Sequence, residues 1–222
     1  MLFRSHVDPP EAVVRVRLSP LGEGLQVLVY APDRHDVFAR ICGYFDGAGF
    51  NILDAKIHTS RSGFALDTFQ VNSPRIEEDS GTAGGHGQGA AMPLTGHYRD
   101  LIFLVETQLA QALAAEGPLP EPSRGRARLS RRVRSFPVAP RVTLHPDDRA
   151  QRWLLGISSA DRSGLLYAIA RVLARHEINL QLAKITTLGE RVEDTFLIDG
   201  AALQHNRRQI EIETELLEAL AA

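Results

Sequence analysis

The chain repeats itself. The segment YAPDRHDVFARICGYFDGAGFNILDAKIHTSRSGFALDTFQV (30–71) is echoed by SSADRSGLLYAIARVLARHEINLQLAKITTLGERVEDTFLID (158–199). Without gaps, Asp33-Arg34 falls on Asp161-Arg162, Ile41 on Ile169, Asn51 on Asn179, and Ala55-Lys56-Ile57 on Ala183-Lys184-Ile185. One residue must be dropped before Asp67-Thr68-Phe69 meets Asp194-Thr195-Phe196. The gap falls among turn residues, Arg61-Ser62-Gly63 against Leu188-Gly189-Glu190, where a change of length costs little. A duplication of this kind favours two small domains over one large one in a chain of 222 residues.

Each copy has the same order of patterns. An apolar run (26–30; 153–157) reads as a buried strand, and a polar turn at Asp33 or Asp161 follows, the Asp placed to cap the next helix or to hold the loop. Val37, Phe38, Ile41, Tyr44 and Phe45, and likewise Leu165, Leu166, Ile169, Val172 and Leu173, then recur at helical spacing. Gly49 suits a left-handed closing residue; Glu177, in its place in the second copy, makes a weaker cap. Hairpins over 51–71 and 179–199 come next. A helix closes each copy, 96–115 and about 207–221, and a short strand opens each, 13–18 and 141–144. Strand, strand, helix, strand, strand, helix is an α+β fold, a ferredoxin-like split βαβ sandwich with one antiparallel sheet and its helices on one face.

The expected division is a tail over 1–12, a first domain over 13–116, a linker over 117–140 and a second domain over 141–222. Within the first, 73–95 (with IEEDSGTAGGHGQG) buries too little to order itself and reads as a mobile loop. The linker crowds Arg124, Arg126, Arg128, Arg131, Arg132 and Arg134. With aromatics at 6% and a net charge of −2, docking or solubility explains that run better than nucleic acid does. No apolar run reaches the ~20 residues of a membrane helix, and the N-terminus lacks a signal-peptide core, so a cytoplasmic protein is the expectation. A single Cys42 rules out an intrachain disulfide.

Catalytic patterns do not emerge. GxxxxGK[ST], HExxH, CxxC and GxSxG are all missing, GGHGQG around His86 neither follows a strand nor opens a helix, and no two histidines have metal spacing on one helix face. What remains is a binding site built by the repeat. In DRSGLL, Gly164 lets main-chain N–H groups approach a carboxylate at a helix start, whereas Asp36 holds that place in the first copy and would obstruct or repel an anion. Asn51-Ile52 and Asn179-Leu180 offer an amide and an accessible edge, though Asn is also a common turn residue. Lys56 and Lys184 read as a solvated face, with a Lys–Asp pair to Asp67 or Asp194 across the hairpin as register control.

The two D-R…N-I/L…A-K-I…D-T-F units resemble tandem ACT domains, small amino-acid-sensing modules. With the linker RLSRRVRSFPVAPRV between them, nearly the whole chain resembles the C-terminal regulatory region of the bifunctional PII uridylyltransferase/uridylyl-removing enzymes. The resemblance implies glutamine as effector, ACT–ACT pairing within or between chains with the ligand across that pairing, and a switch between uridylylation and deuridylylation of PII. It implies that catalytic domains lie upstream, that Mg and UTP serve those domains, and that this chain alone is inactive, with no cofactor, nucleic acid or membrane partner of its own. The effector residues it implies are Asp33, Asp36, Asn51 and Ile52 in one copy and Asp161, Gly164, Leu165, Asn179 and Leu180 in the other; Asp36 departs from the family's glycine. The alternative is a free-standing tandem-ACT regulator. An RNA-binding split βαβ protein would need aromatics on the central strands, and AKIHTS and AKITTL lack them.

Overall fold

Alternation along the strands decides which face of the sheet each residue takes. Along Leu25–Pro32, Leu25, Val27, Val29 and Ala31 are buried, while Leu28 and Tyr30 are exposed on the other side. A computed structural model describes residues 11–20, 24–60, 62–72, 96–123, 138–147, 152–185, 187–188 and 191–221. The first repeat comprises β1 (Val13–Leu18), β2 (Leu25–Pro32), α1 (Val37–Ala48), β3 (Asn51–His58), β4 (Phe64–Asn72) and α2 (Gly96–Ala114). The second comprises β5 (Arg141–Pro146), β6 (Trp153–Ala160), α3 (Leu165–Arg175), β7 (Asn179–Lys184), β8 (Thr187–Leu188), β9 (Arg191–Asp199), a 3₁₀ turn (Ala201–Gln204) and α4 (Asn206–Ala221). The Gly-rich stretch 73–95 and the Arg run Arg124–Arg134 lie outside the described residues.

All the strands belong to one nine-stranded sheet, in the order β1-β2-β4-β3-β7-β9-β6-β5, with β8 added on β9. Within each half β4, or β9, is inserted between two strands joined through a helix, which is the split βαβ arrangement expected. The helices lie side by side on one face, α2 against α1, α1 against α3 and α3 against α4. The buried stripe on α1 (Val37, Phe38, Ile41, Phe45) repeats every three or four residues and meets Phe69 of β4; the Phe45 and Phe69 rings lie 5.7 Å apart. In α2 the buried residues are Val105, Leu109 and Leu113; in α4 they are Ile212, Leu216 and Leu220. Leu104, Ile210 and Leu217, which share the apolar runs of these helices, are exposed.

The two halves join where β3 meets β7, antiparallel, with Lys56 opposite Lys184, Ile57 opposite Ala183 and His58 opposite Leu182. Lys56 and Lys184 are the same position in the two repeats, so a local two-fold axis runs between them. The Lys–Asp pairs expected across the hairpins do not form. Lys56 and Lys184 are exposed on the open face of the sheet, whereas Asp67 and Asp194 are buried on the helix side. Adjacent strand positions face opposite ways, so the lysines sit opposite Thr68 and Thr195 instead.

Two turn expectations meet the backbone. Gly49 closes α1 at φ 84°, in the left-handed region. Glu177, its counterpart, is driven to φ 53° although it carries a side chain, and it is the one non-glycine with positive φ among the described residues. The repeat therefore imposes the same chain reversal on both halves, at a local cost of ~1 kcal/mol in the second.

Candidate functional site

The repeated Asp-Arg pair is explained first by structure. Arg34 donates from Nη2 to the carbonyl of Leu113 (2.9 Å) and Arg162 from Nη2 to the carbonyl of Ala219 (2.6 Å). Each guanidinium thus serves the C-terminal end of its own repeat's last helix, where carbonyls lack intrahelical donors. The carboxylates of Asp33 and Asp161 take the N–H of the arginine that follows, so they hold the loop rather than cap the helix. The residues at the helix starts are Asp36 and Gly164, neither with a side-chain cap bond.

These turns do not face the strand opening of their own repeat. The second repeat's turn lies against β3 of the first. Asp161, Arg162, Ser163, Gly164 and Leu165 share a cleft of about 260 Å³ with Asn51, Ile52 and Leu53, floored by Cys42 and Asp46 of α1 and reaching Asp194. The Ser163 hydroxyl donates to Asn51 Oδ1 across the junction at 3.0 Å. The cleft is near the lower end of the range for small-molecule sites, roughly 300–1,000 Å³. The first repeat's turn lies against β7 of the second. There Asp33, His35, Phe38, Ile57, Thr59, Asp67 and Leu180 leave only about 10 Å³.

The expected site residues therefore sort across the repeats. Asp161, Gly164 and Leu165 meet Asn51 and Ile52 in the open cleft, and Asp33 meets Leu180 at the closed one. Asn179 is not gathered with Asp161 and Gly164; its amide donates to Asp199 Oδ1 at 3.1 Å. Asp36 does not enter the closed junction. Its carboxylate turns back along α1 to Arg40 Nε (2.6 Å) and to Arg34 Nε (3.4 Å). What closes that junction is the strand pairing itself: the Thr59 N–H donates to the Gln181 carbonyl (3.3 Å) and the Thr59 hydroxyl to the Leu180 carbonyl (3.1 Å). The β3–β7 ladder extends from Lys56 and Lys184 on this side only. On the other side of the axis no β3–β7 pair is formed among the described residues, and Leu53 and Ile185 line the cleft instead.

Several cleft residues carried no signal in the repeat. Asp46 is one; its position in the second repeat is occupied by Ala174. Another is Tyr167, packed so closely on Gly43 that a Cβ there would lie 2.8 Å from the ring. The need for glycine at 164 is also more specific than expected. Its φ is 77°, and a Cβ would lie 2.9 Å from Asp46 Oδ1. An unaligned pair such as Asp46 and Gly164 can be found only once the chain is folded.

Among the described residues, the charged groups that line the cleft are Asp46, Asp161, Asp194 and Arg162. Burial pushes Asp161 up against the bond from the Arg162 N–H, and pulls Arg162 down, with Asp46 opposing. The Arg162 Nε is buried with no acceptor among the described residues, a donor that could serve an anionic group. Burial holds the Cys42 thiol well above its ordinary range, with Asp67 and Asp46 adding to the effect, so it is an unreactive floor residue. At the closed junction burial lifts Asp67 to about 7, against the His58 N–H bond and helped by Asp33. Asp33 is raised too, by burial first, with Thr59 and the Arg34 N–H opposing and Asp199 adding. No group of three or more His, Cys, Asp or Glu that could hold a metal ion occurs among the described residues. None of the described helices is long and apolar enough to cross a membrane.

Sequence comparison adds what geometry alone does not. Bifunctional uridylyltransferase/uridylyl-removing enzymes match the chain from end to end. The one from Ralstonia nicotianae is 57% identical over 220 residues, that from Cupriavidus pinatubonensis 54% over 215, and that from Burkholderia vietnamiensis 52% over 221. The chain is homologous to one segment of these enzymes. It is covered to 99%, 96% and 100% in these matches, yet it spans only 24%, 23% and 23% of the relatives' own length. This bears out the resemblance read from the residues. No family model matches. An aspartate kinase from Synechocystis overlaps 89% of the chain and 40% of its own, at a TM-score of 0.22 and 11% identity, too low to bear on fold or function.

Proposed function

We propose that this chain is the C-terminal regulatory region of such an enzyme and that it senses glutamine. The observation that carries the reading is the open cleft between the repeats, where Asp161, Ser163 and Gly164 of one meet Asn51 and Asp46 of the other. A free amino acid has an ammonium, a carboxylate and here a side-chain amide. The Asp161 carboxylate suits the first, the start of α3 with the Arg162 Nε suits the second, and Asn51 both donates to and accepts from the third. Because the walls belong to different repeats, a bound ligand favours the arrangement that holds them together, and shifts the population by its differential affinity.

In the complete enzyme this shift would set the balance between uridylylating PII and removing the uridylyl group. Catalysis, Mg and UTP belong to the remaining three quarters of the relatives' length, and the setting is the cytoplasm. Titration calorimetry of this chain with glutamine is the direct test. One site per chain is expected, weakened by Asp161→Ala and Asn51→Ala and indifferent to Asp33→Ala. No heat with glutamine from the wild-type chain would end the reading.

A further inference from the structure

The face of the sheet opposite the helices carries an apolar row that runs across the strands. Val13 lies opposite Tyr30 and Tyr30 opposite Leu66; in the second repeat Leu182 lies opposite Leu197 and Leu197 opposite Leu154. His58 joins the two runs. It lies opposite Leu182 on one side and, in the register that sets Lys56 against Thr68 and Thr59 against Ala65, opposite Leu66 on the other. All these apolar residues are exposed except Leu197, which is half-buried. Phe64 stacks on Tyr30 at 5.1 Å and widens the row. The local two-fold axis relates this row to a second one beyond Lys56 and Lys184. There the equivalent positions hold Arg141, Ser158 and Glu193, and Asp54, Gln70 and Gln26. The same strand positions therefore fold with polar groups in the other repeat, and the fold does not require the first row to be apolar. A contiguous apolar row kept on an open face marks a contact.

We propose that this row is where a second copy of the chain docks, sheet face on sheet face. Adjacent strands lie ~4.8 Å apart and alternate residues ~7 Å apart, so the row with its flanks is a strip about 30 Å by 20 Å. Two copies would bury on the order of 1,200 Å², the lower end of what a stable pair needs. Charge selects the symmetry. Stacked sheets keep their strands within about 30° of each other, so a two-fold axis in the contact plane runs either along the strands or along the row. An axis along the strands sets Lys56 over the second copy's Lys184, like charge on like. An axis along the row lays the row on itself and sends the lysines of the two copies to opposite margins. They are then roughly 14 Å apart, beyond the ~8 Å at which salt screens exposed charges. The contact is the same patch on both copies and closes as a dimer. It lies on the paired side of the β3–β7 ladder, with His58 and Leu182 in it, and not at the open cleft, so it is independent of the amino-acid reading.

The experiment is sedimentation equilibrium of this chain across the micromolar range, for wild type, Leu66→Glu, Leu182→Asp and the control Glu193→Gln, folding being checked by thermal melting. Leu66→Glu and Leu182→Asp each install the residue that the equivalent position of the other repeat already carries, so both should fold. The wild type should dimerise with a micromolar dissociation constant. Each of the two row variants should raise that constant at least about tenfold, the effect of losing one buried leucine, and Glu193→Gln in the polar row should leave it unchanged. Added salt should hold or tighten the dimer, because burial of apolar surface drives it and the lysines of both copies oppose it. A wild-type chain that stays monomeric overturns the proposal and leaves the row to another segment of the longer enzymes or to a different protein. A dimer that both row variants form as readily as the wild type overturns it too, as does one that salt dissolves, which would be held by ion pairs instead.

Discussion

The two junctions between the repeats are built from equivalent positions, yet one is open at about 260 Å³ and the other shut at about 10 Å³. Duplication alone would make them alike. The difference comes from a few side chains and from which way the central ladder zips. Thr59 ties the first repeat to the backbone of β7, whereas on the other side of the Lys56–Lys184 axis no β3–β7 pair forms among the described residues and Gly164 and Asp46 take the space. A two-fold device thus becomes a one-site device without a change of fold.

The sharpest way to break the contrast is titration of Asp67. This group holds its proton to about pH 7 when folded, above its ordinary value of 3.8. Between those values the folded chain binds the proton and the unfolded chain does not. The stability it contributes is complete below 3.8 and is lost as pH rises through about 7. At ~1.4 kcal/mol per unit the full loss is on the order of 4 kcal/mol. Denaturant titration from acid to neutral pH should show this fall, and Asp67→Asn should flatten it. Next in size, Gly164→Val should cost ~1–3 kcal/mol through its left-handed backbone and its clash with Asp46, and glutamine heat should vanish. Putting Gly at Asp36 in the closed half should leave that heat unchanged.

Smaller effects refine the same comparison. Thr59→Val removes the hydroxyl that reaches the Leu180 carbonyl and should lower stability by ~1 kcal/mol with no loss of ligand affinity. Glu177→Gly should stabilise the chain by roughly 0.5–1 kcal/mol, because it relieves the left-handed backbone that Gly49 already adopts freely. A melting curve that moves down instead would mean that the Glu177 side chain holds something its conformation does not reveal.

Much of the fold was legible because it is periodic. The stripe from Val37 to Phe45 and the alternation of β2 each have one good burial solution, and the repeat shows the same solution twice. The strand and helix ends agree within a few residues, apart from the second hairpin, where β7 stops at Lys184 and β8 forms separately. The site was legible in its residue types and not in its grouping. Asp161, Gly164 and Asn51 stand out in the sequence, but periodicity says nothing about which repeat's turn faces which repeat's strand. The pairing of Lys56 with Lys184 decides that. Asp46 and Tyr167 left no trace, because they align with Ala174 and Ala39.

The antiparallel ladder between β3 and β7 also means that each half finishes the other's sheet. Cut apart between α2 and β5, either half would present a bare inner strand with a lysine toward its C-terminal end. Such a strand finds its nearest match in another molecule of the same half. Separated halves should therefore self-associate edge to edge, the first offering two turns that begin DRHD and the second two that begin DRSG. A single gene product that carries both avoids those symmetrical pairs and fixes the mixed one.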